Sequence, residues 1–301
     1  MTALHDTRAR TARATPAGLR GLIRAVLRLH RAALTLWCLA LVAATAVLIW
    51  MYAIADEARR GDVPCATPAR AGFPGCVTID AITVDQVYAG WIELVTTALA
   101  YAILPVAAWA GAALIGRELE SGTAQLAWTQ SVTPARWLAV KLAVPAVLLT
   151  SGTGVIVLLN VWARGDSGPN LVGEWYYPDV FVGTGPTAVA HPLVGLALGA
   201  LAGLLLRRAL PAAAVGFAST LVLYVLLDRF RAHLWPAVTR DDQGRPELPR
   251  SAWQLDDEGA GQVFHPVSHH WPLQLVESGV LLAVAAAATL AAFGILRRRT
   301  P

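Results

Sequence analysis

Residues 116–141 read GRELESGTAQLAWTQSVTPARWLAVK. This polar stretch lies between two apolar runs, at residues 92–115 and 138–161, and each run is long enough to cross a membrane. Thr133 can cap a helix that begins at Pro134, so a helix restarts within the stretch. The pattern predicts a short cytoplasmic helix between two membrane spans, where a membrane protein can receive force; a plain connecting loop is the alternative.

Six apolar runs of membrane-spanning length recur along the chain. Apolar residues make up 56% of the sequence and charged residues 15%, and the charges lie in blocks between the runs. Strand-type alternation is absent, which argues against a membrane barrel. We therefore expect an all-α polytopic membrane protein with six transmembrane helices, at residues 33–55, 92–115, 138–161, 187–206, 209–227 and 273–296.

The distribution of basic residues predicts the orientation of the spans. With the N-terminus inside, the cytoplasmic segments hold 15 of the 24 Arg and Lys residues but only three of the 20 acidic residues. We expect a multi-pass protein of a bacterial plasma membrane with both termini in the cytoplasm. The first run is too long for a cleavable signal peptide and predicts a retained span. The pI near 9.2 then reflects topology and anionic lipid, so no nucleic-acid partner is expected.

The segments outside the spans differ in character. Arg20, Arg24, Arg28 and Arg31 recur among aliphatic residues, which predicts an amphipathic helix in the membrane interface; a simple positive flank is the alternative. Residues 228–272 are too poor in apolar residues for a core and predict an extracellular cap. The chain divides into a cytoplasmic tail with the amphipathic helix (1–32), a transmembrane domain (33–296) containing the cytoplasmic loop (116–137) and the cap (228–272), and a cytoplasmic tail (297–301).

Two cysteines fall in the first loop that this topology places outside the cell. Cys65 and Cys76 are separated by ten residues that include Pro68 and Pro74. An oxidising exterior allows them to form a disulfide. Two free, unrelated thiols are the alternative.

Glycines recur every four residues in the fourth span. Gly195, Gly199 and Gly203 therefore share one helix face. A glycine groove of this kind lets another helix approach closely. The spacing predicts that this face packs against protein, either in the same chain or in a second copy.

The chain lacks the usual signatures of an energy-converting site. Its single lysine, Lys141, is followed by Leu142, whereas a phosphate-binding P-loop requires Ser or Thr there. Glu93 and His191 lie near the outer ends of their spans, and we interpret both as interface residues reached by water. We expect no catalytic residue in the chain, and active transport would draw its energy from another polypeptide.

The outer cap contains several histidines close to acidic residues. His265, His269 and His270 lie near His233 and the acidic run at residues 256–258. No pair has the spacing of a strong ligand signature, so we expect no metal site. Ser268 has no nucleophile-elbow sequence around it.

Hydroxyl and amide side chains are scattered through three of the spans. They can line a substrate path of mixed polarity, or they can satisfy backbone groups and hold helices together. The candidates for a translocation path are Thr96, Thr97, Thr150, Ser151, Thr153, Asn160, Ser219 and Thr220.

The stretch at residues 116–141 resembles the first cytoplasmic loop of bacterial ATP-binding-cassette (ABC) exporter permeases of the type-2, ABCG-like class. In that family the loop carries the coupling helix that docks on a separate ATPase. The resemblance implies that Arg117, Glu118, Gly122 and Thr123 lie at the ATPase interface, and that residues 19–31 match the connecting helix. The pattern adds Glu120, Gln125 and Trp128 as side chains exposed to the partner.

The resemblance also implies the assembly and its function. Two permease copies, expected to be identical, would work with two ATPase subunits, which bind ATP and Mg²⁺, while the permease binds no cofactor. A hydrophobic or amphipathic small molecule, such as an antibiotic or a lipid, would enter between the second and fifth spans of two copies. Arg in excess over Lys, together with many Ala residues, indicates a GC-rich bacterium such as an actinomycete, where such exporters confer multidrug resistance. The cap departs from better-known members of the family because it lacks cysteines.

Two other classes of function stay open. The first is a membrane-embedded enzyme that uses the outer loop with its histidines and acids on lipid-linked substrates. The second is a non-transporting membrane sensor that uses the same ATPase docking.

Overall fold

The computed structural model describes residues 19–66, 79–130, 132–241, 248–256 and 261–299. The side chain of Cys65 and the whole of Cys76 lie outside the described residues, so the predicted disulfide is not part of this description. The helices are α1 (Leu19–Leu29), α2 (Arg31–Ala66), α3 (Ile79–Tyr101), α4 (Ile103–Trp109), α5 (Arg117–Glu120), α6 (Thr123–Gln130), α7 (Pro134–Arg164), α8 (Pro169–Val172), α9 (Pro178–Gly183), α10 (Thr187–Leu206), α11 (Ala209–Phe230) and α12 (His270–Arg299).

The described part of the chain has five helices that can each cross a membrane, or six candidate spans when a bent helix pair is counted as one, and the prediction of an all-α polytopic membrane protein is confirmed. Five are the single helices α2, α7, α10, α11 and α12, each long and apolar enough to cross a membrane. The other is a bent pair, Val84–Tyr101 and Ile103–Glu120, with an angle of 41° between its halves. We number them spans 1 to 6 in chain order, so that the bent pair is span 2.

The bend in span 2 has a local cause in the sequence. Pro105 has no backbone N–H, and its ring crowds the carbonyl of Tyr101, the last residue of α3. Below the bend the chain continues through a π-helical segment, Ala110–Gly116, in which the N–H of Arg117 donates to the carbonyl of Ala112. Span 2 therefore changes direction and helical pitch before it reaches α5.

Span 4, helix α10, is the centre of the bundle. Two thirds of its apolar window (67%) is buried, against 6% for the window of span 1. It contacts span 2, α11, α12 and α7. Span 1 leaves most of its apolar side chains on the outside, as expected for a helix in contact with lipid.

A three-stranded antiparallel sheet lies between spans 5 and 6, where the sequence had predicted a cap without naming strands. Its strands are β1 (Val238–Asp241), β2 (Trp253–Asp256) and β3 (Gly261–His265), in the order β1-β3-β2. Tyr176, from the loop between α8 and α9, stacks on Trp253 with ring centroids 6.2 Å apart. The Nε1–H of Trp175 donates to the carbonyl of Ser251 at 2.7 Å. These contacts attach the sheet to the bundle.

The two ends of the bundle differ in the short helices, turns and strands that lie there. The α6 end has α1, α5, α6, the α10–α11 turn and the end of α12, whereas the sheet end has α8, α9 and the three strands. In α1 the side chains of Arg20, Arg24 and Arg28 are exposed, and Val26 is buried. Helix α1 thus has the polar and apolar faces of an interfacial helix.

Candidate coupling site

The coupling segment, residues 116–137, forms a short helix with a tight turn on each side. Gly122 follows α5 with a φ of 75°, a conformation that favours glycine, and α6 begins at the next residue. Thr133 caps α7 by accepting a hydrogen bond from the backbone N–H of Arg136 at 3.4 Å, and Pro134 is the first helical residue. The predicted cap at Thr133 is confirmed, and α6 lies between spans 2 and 3.

Glu118 is held inside the site by two donors from span 3. Its Oε1 accepts a hydrogen bond and an ion pair from Lys141 Nζ at 2.6 Å, and its Oε2 accepts from Trp137 Nε1 at 3.1 Å. Lys141 Nζ also donates to the carbonyl of Leu114 at 2.7 Å, and it lies 5.3 Å from the centre of the Trp137 ring. Both charges are therefore paired and hydrogen-bonded, which a buried ion pair requires.

This geometry corrects the expected exposure of two residues. Glu118 was expected to face a partner, but its side chain is only 15% exposed because it turns toward Lys141. Trp128 was also expected to be exposed, but it is half-buried and meets Trp137 edge to face with centroids 5.5 Å apart. Both side chains therefore turn toward α7.

Glu120 links the coupling segment to the α10–α11 turn. Its Oε2 accepts a hydrogen bond from the backbone N–H of Ala209 at 2.8 Å, at the first residue of α11. A carboxylate is favoured there because the first N–H groups of a helix have no partner within the helix. Gly116 permits this approach, since an added Cβ would lie 3.0 Å from the Cα of Ala209 and 2.5 Å from the carbonyl oxygen of Gly111.

The outward face of the segment is made by other side chains. Arg117, Thr123 and Gln125 are exposed, as are Leu126 and Thr129. Leu126 is 59% exposed, although it is a large apolar residue on a helix at the end of the bundle. Gly122 is half-buried. This face combines polar side chains with one apolar side chain at its centre, which is a composition suited to a protein partner.

His30, at the junction of α1 and α2, borders the same site. Its ring meets Trp109 edge to face with centroids 5.4 Å apart. Burial, and after it the positive charge of Lys141, lower the pKa of His30 to about 4 against the opposing effect of Glu118. Leu22 of α1 packs against the cluster that contains Leu119, so α1 and the coupling segment share one hydrophobic core.

Two of the predicted path residues meet in a buried polar network at the sheet end. Asn160 Nδ2 lies 3.3 Å from Thr96 Oγ1 and donates to the carbonyl of Gly183 at 3.1 Å. Arg164, which the sequence had placed among the outer loop charges, is 7% exposed and donates to Thr96 Oγ1 at 3.1 Å and to the carbonyl of Val172. The network joins spans 2 and 3 to α8 and α9.

The remaining path residues are dispersed. Thr97 donates to Asp179 Oδ2 at 3.4 Å, and Thr150 is exposed on α7. Ser151 is also exposed and donates to the carbonyl of Val147, whereas Thr153 Oγ1 is buried without a hydrogen-bond partner among the described residues. Ser219 and Thr220 both donate to the carbonyl of Gly216, within their own helix. These serine and threonine hydroxyls bond to the backbone of their own helix, which was the alternative to lining a substrate path.

The glycines of α10 lie against span 2 of the same chain. An added Cβ at Gly195 would lie 2.5 Å from the carbonyl oxygen of Ile103, and one at Gly203 would lie 2.8 Å from Ile115 Cβ. At Gly199 the nearest atom is the carbonyl oxygen of Ala107, which is closer still. Side chains at these positions would separate spans 2 and 4.

One buried ion pair was missed in the sequence, and the interpretation of one histidine was wrong. Arg231 and Glu277 are 2% and 0% exposed, and the guanidinium binds both carboxylate oxygens at 2.8 Å and 3.3 Å. The guanidinium also lies 4.4 Å from the ring centre of Phe181. His191 was expected to be reached by water, but it is fully buried with Nδ1 2.9 Å from the carbonyl oxygen of Thr187. Glu93 is exposed.

The histidines of the cap bond to one another and to backbone. His265 Nδ1 lies 2.9 Å from His269 Nδ1, and its Nε2 lies 2.9 Å from the carbonyl oxygen of Ala232. Burial lowers the pKa of His265. Within the part of the chain that the structure describes, no three His, Cys, Asp or Glu side chains come together in a way that could hold a metal ion. The side chains of residues 256–258 lie outside the description.

The chain matches a known family model. The family model described as ABC-2 membrane transporter related matches residues 36–231, well over half of the chain and including the whole coupling segment. Comparisons with curated proteins and with solved structures gave no match. Proteins of this family are membrane components of ABC transporters, which have an ABC ATPase as their partner. The chain is a multi-pass membrane protein and belongs to the ABC-2 membrane transporter related family.

Proposed function

We propose that the chain is the permease half of an ABC exporter, and that α6 is its docking element for the ATPase. Two copies of the chain form the translocation unit, and two ATPase subunits bind ATP and Mg²⁺ and supply the energy. The N- and C-termini and α6 face the cytoplasm, and the three-stranded sheet faces the outside of a bacterial plasma membrane.

The observation that carries this proposal is the construction of α6. Its outer face presents Gln125, Leu126 and Thr129, while its base is fixed to the spans by side chains on either side. The Glu118–Lys141 pair holds span 3, and the Glu120–Ala209 hydrogen bond holds span 5. A force applied to the outer face is therefore delivered to three spans, because span 2 leads directly into α5.

The charge distribution supports the orientation. The α6 end carries the arginines of α1, Arg207 and Arg208 in the α10–α11 turn, and Arg297 to Arg299 at the end of α12. Basic segments are retained on the cytoplasmic side of a membrane. The same end therefore faces the compartment in which ATP is hydrolysed.

The transported molecule is hydrophobic or amphipathic, such as an antibiotic or a lipid. Most of the span surface is aliphatic, and few hydroxyl groups, such as those of Thr150 and Ser151, lie on the exposed faces of the helices. Walls of this kind suit an apolar molecule with few polar groups better than an ion or a sugar. Transport runs outward, and the path lies between two copies of the chain.

Purification of the tagged chain from its native host tests the proposal. A P-loop ATPase should be retained in mild detergent, and reconstitution of that ATPase with the chain in vesicles should give ATP-dependent movement of a hydrophobic dye. If the chain remains folded and no P-loop ATPase is retained, the proposal is wrong. If ATP is hydrolysed without movement of any cargo, the sensor alternative is correct.

The enzyme alternative makes a different prediction. It requires that the outer loop carry the chemistry, so that His269→Ala abolishes activity while Leu126→Arg does not. In the structure both ring nitrogens of His265 are engaged by His269 and Ala232, which is an arrangement that anchors the sheet. No described contact of the cap favours catalysis over anchoring.

A further inference from the structure

An apolar cavity of about 490 Å³ lies beside the coupling site. It is bounded by the α1–α2 junction, by α4 and by the middle of α7. Its walls include Trp37, Trp109 and Pro145. Leu36 lines the cavity and is 69% exposed, so the cavity opens toward the outside of the bundle. Its volume lies in the range of about 300–1,000 Å³ that is usual for ligand sites.

Among the described residues, His30 is the one titratable side chain in the wall of this cavity. It is 8% exposed, and its Nε2 has no hydrogen-bond partner among the described residues. A buried polar atom without a partner costs free energy, and a ligand that supplies a partner recovers it. The cavity is therefore not a purely apolar gap, since it offers one polar contact at its α1 side.

Two arginines flank this contact, Arg28 in the last turn of α1 and Arg31 at the first residue of α2. Arg28 and Arg31 are exposed, and neither forms an ion pair with a described acidic residue. Leu27, at the end of α1, and Leu34, in α2, both line the cavity. Arg31 lies three residues before Leu34 in α2, so these two residues share a helix face. A positive charge thus stands at the mouth of an apolar cavity at the level of an interfacial helix.

We propose that this cavity is a lipid site that takes an acyl chain of an anionic phospholipid, with its phosphate on Arg28 and Arg31 and an ester or phosphate oxygen on His30 Nε2. Apolar walls suit the chain, and the unpaired guanidiniums suit the headgroup. The histidine donates to such an oxygen when its proton is on Nε2. Because the cavity is open to the surrounding membrane, the lipid enters from the cytoplasmic leaflet without passing through the bundle.

The lipid would contact the moving parts of the proposed transporter. Ala102 and Pro105, at the bend of span 2, line the cavity together with Trp109, which also contacts His30. An acyl chain in this position touches span 2 close to its bend and span 3 at Pro145. The site goes beyond the proposed ATPase docking and does not depend on it, because binding can be measured without an ATPase.

Native mass spectrometry of the detergent-solubilised full chain tests the site, with dioleoylphosphatidylglycerol and dioleoylphosphatidylcholine as probes. The anionic lipid should be retained in preference to the zwitterionic one. Arg31→Gln should weaken its binding by roughly fivefold, since one basic residue near an anionic surface contributes about 1 kcal/mol. Arg20→Gln, which removes the same charge two turns before Arg28, should leave the affinity unchanged.

Three further variants test the cavity itself. Ala33→Trp should fill it and abolish retention, and Ala40→Leu serves the same purpose if the first variant does not fold. His30→Phe should weaken retention without changing the preference for the anionic headgroup. Equal retention of both lipids, equal loss in Arg20→Gln and Arg31→Gln, or full retention in a folded cavity-filling variant would each overturn the proposal. Displacement of the lipid by an uncharged hydrophobic dye that binds wild type more tightly would identify a cargo site instead.

Discussion

Glu118 and Lys141 form a 2.6 Å ion pair that joins the end of span 2 to the first turns of span 3. The two residues close the base of the loop that contains α6, and their side chains are 15% and 3% exposed. Trp137 shares the carboxylate, so the pair is part of a hydrogen-bonded network. A displacement of α6 therefore acts on both spans.

Lys141→Met should destabilise the protein by about 3–5 kcal/mol, because it leaves the Glu118 carboxylate buried without its cation. The double variant Glu118→Gln/Lys141→Met should recover part of this loss, since no unpaired charge remains. Thermal unfolding of the detergent-solubilised protein measures both. If the double variant is as unstable as Lys141→Met, the ion pair is not the source of the effect.

Gly199→Ala should destabilise the bundle by about 1–3 kcal/mol, because the new methyl group meets the Ala107 carbonyl and Ala110 Cβ. Gly154→Ala is the matched control. A Cβ at Gly154 has no neighbour within 4 Å, so the change should be neutral or slightly stabilising. Unfolding midpoints for the two variants give the comparison, and equal midpoints would contradict the close packing of spans 2 and 4.

Glu277→Gln should cost about 3 kcal/mol or more, since it leaves the buried Arg231 guanidinium without its main counter-charge. Asp228→Asn changes a second carboxylate on the same guanidinium, but that side chain is 39% exposed. Its cost should be below about 1 kcal/mol. Chemical unfolding of the two variants in detergent separates them, and a larger cost for Asp228→Asn would refute the assignment.

The stability of the protein should fall as the pH drops from about 6.5 to about 4, partly because of His30. The folded imidazole has a pKa of about 4, whereas the unfolded one titrates near 6.5. The unfolded state therefore binds more protons than the folded state in this pH window. As a result, the free energy of unfolding decreases by up to about 3 kcal/mol at the acid end of the window. His30→Phe should show a smaller loss across the window and no difference in slope above pH 7. Parallel pH profiles for the two proteins would contradict this.

Hydropathy was sufficient to predict the six spans, because each apolar run exceeds the thickness of a membrane core. The start of α7 was also predictable, since Thr133 and Pro134 act through local backbone chemistry. Pro105 offered a signal for the bend in span 2 that the sequence interpretation did not use. Each of these features depends on residues close together in the chain.

The interior of the site depends on residues that are far apart. Glu118 faces inward because Lys141 and Trp137 lie next to it, and neither contact can be inferred from the loop alone. Arg231 and Glu277 are 46 residues apart, and the pairing of spans 5 and 6 brings them together. The three strands of the cap are only four or five residues long, too short for a clear alternating pattern.

The affinity of the purified chain for its ATPase, compared between wild type and Leu126→Arg, tests the proposed coupling mechanism most directly. Leu126→Arg changes only the outer face of α6, and Leu206→Arg is a matched change of an exposed leucine at the same end of the bundle. The mechanism predicts at least about tenfold weaker binding for Leu126→Arg, with an unchanged unfolding midpoint, and wild-type binding for Leu206→Arg. Wild-type affinity in a folded Leu126→Arg protein would contradict docking through α6.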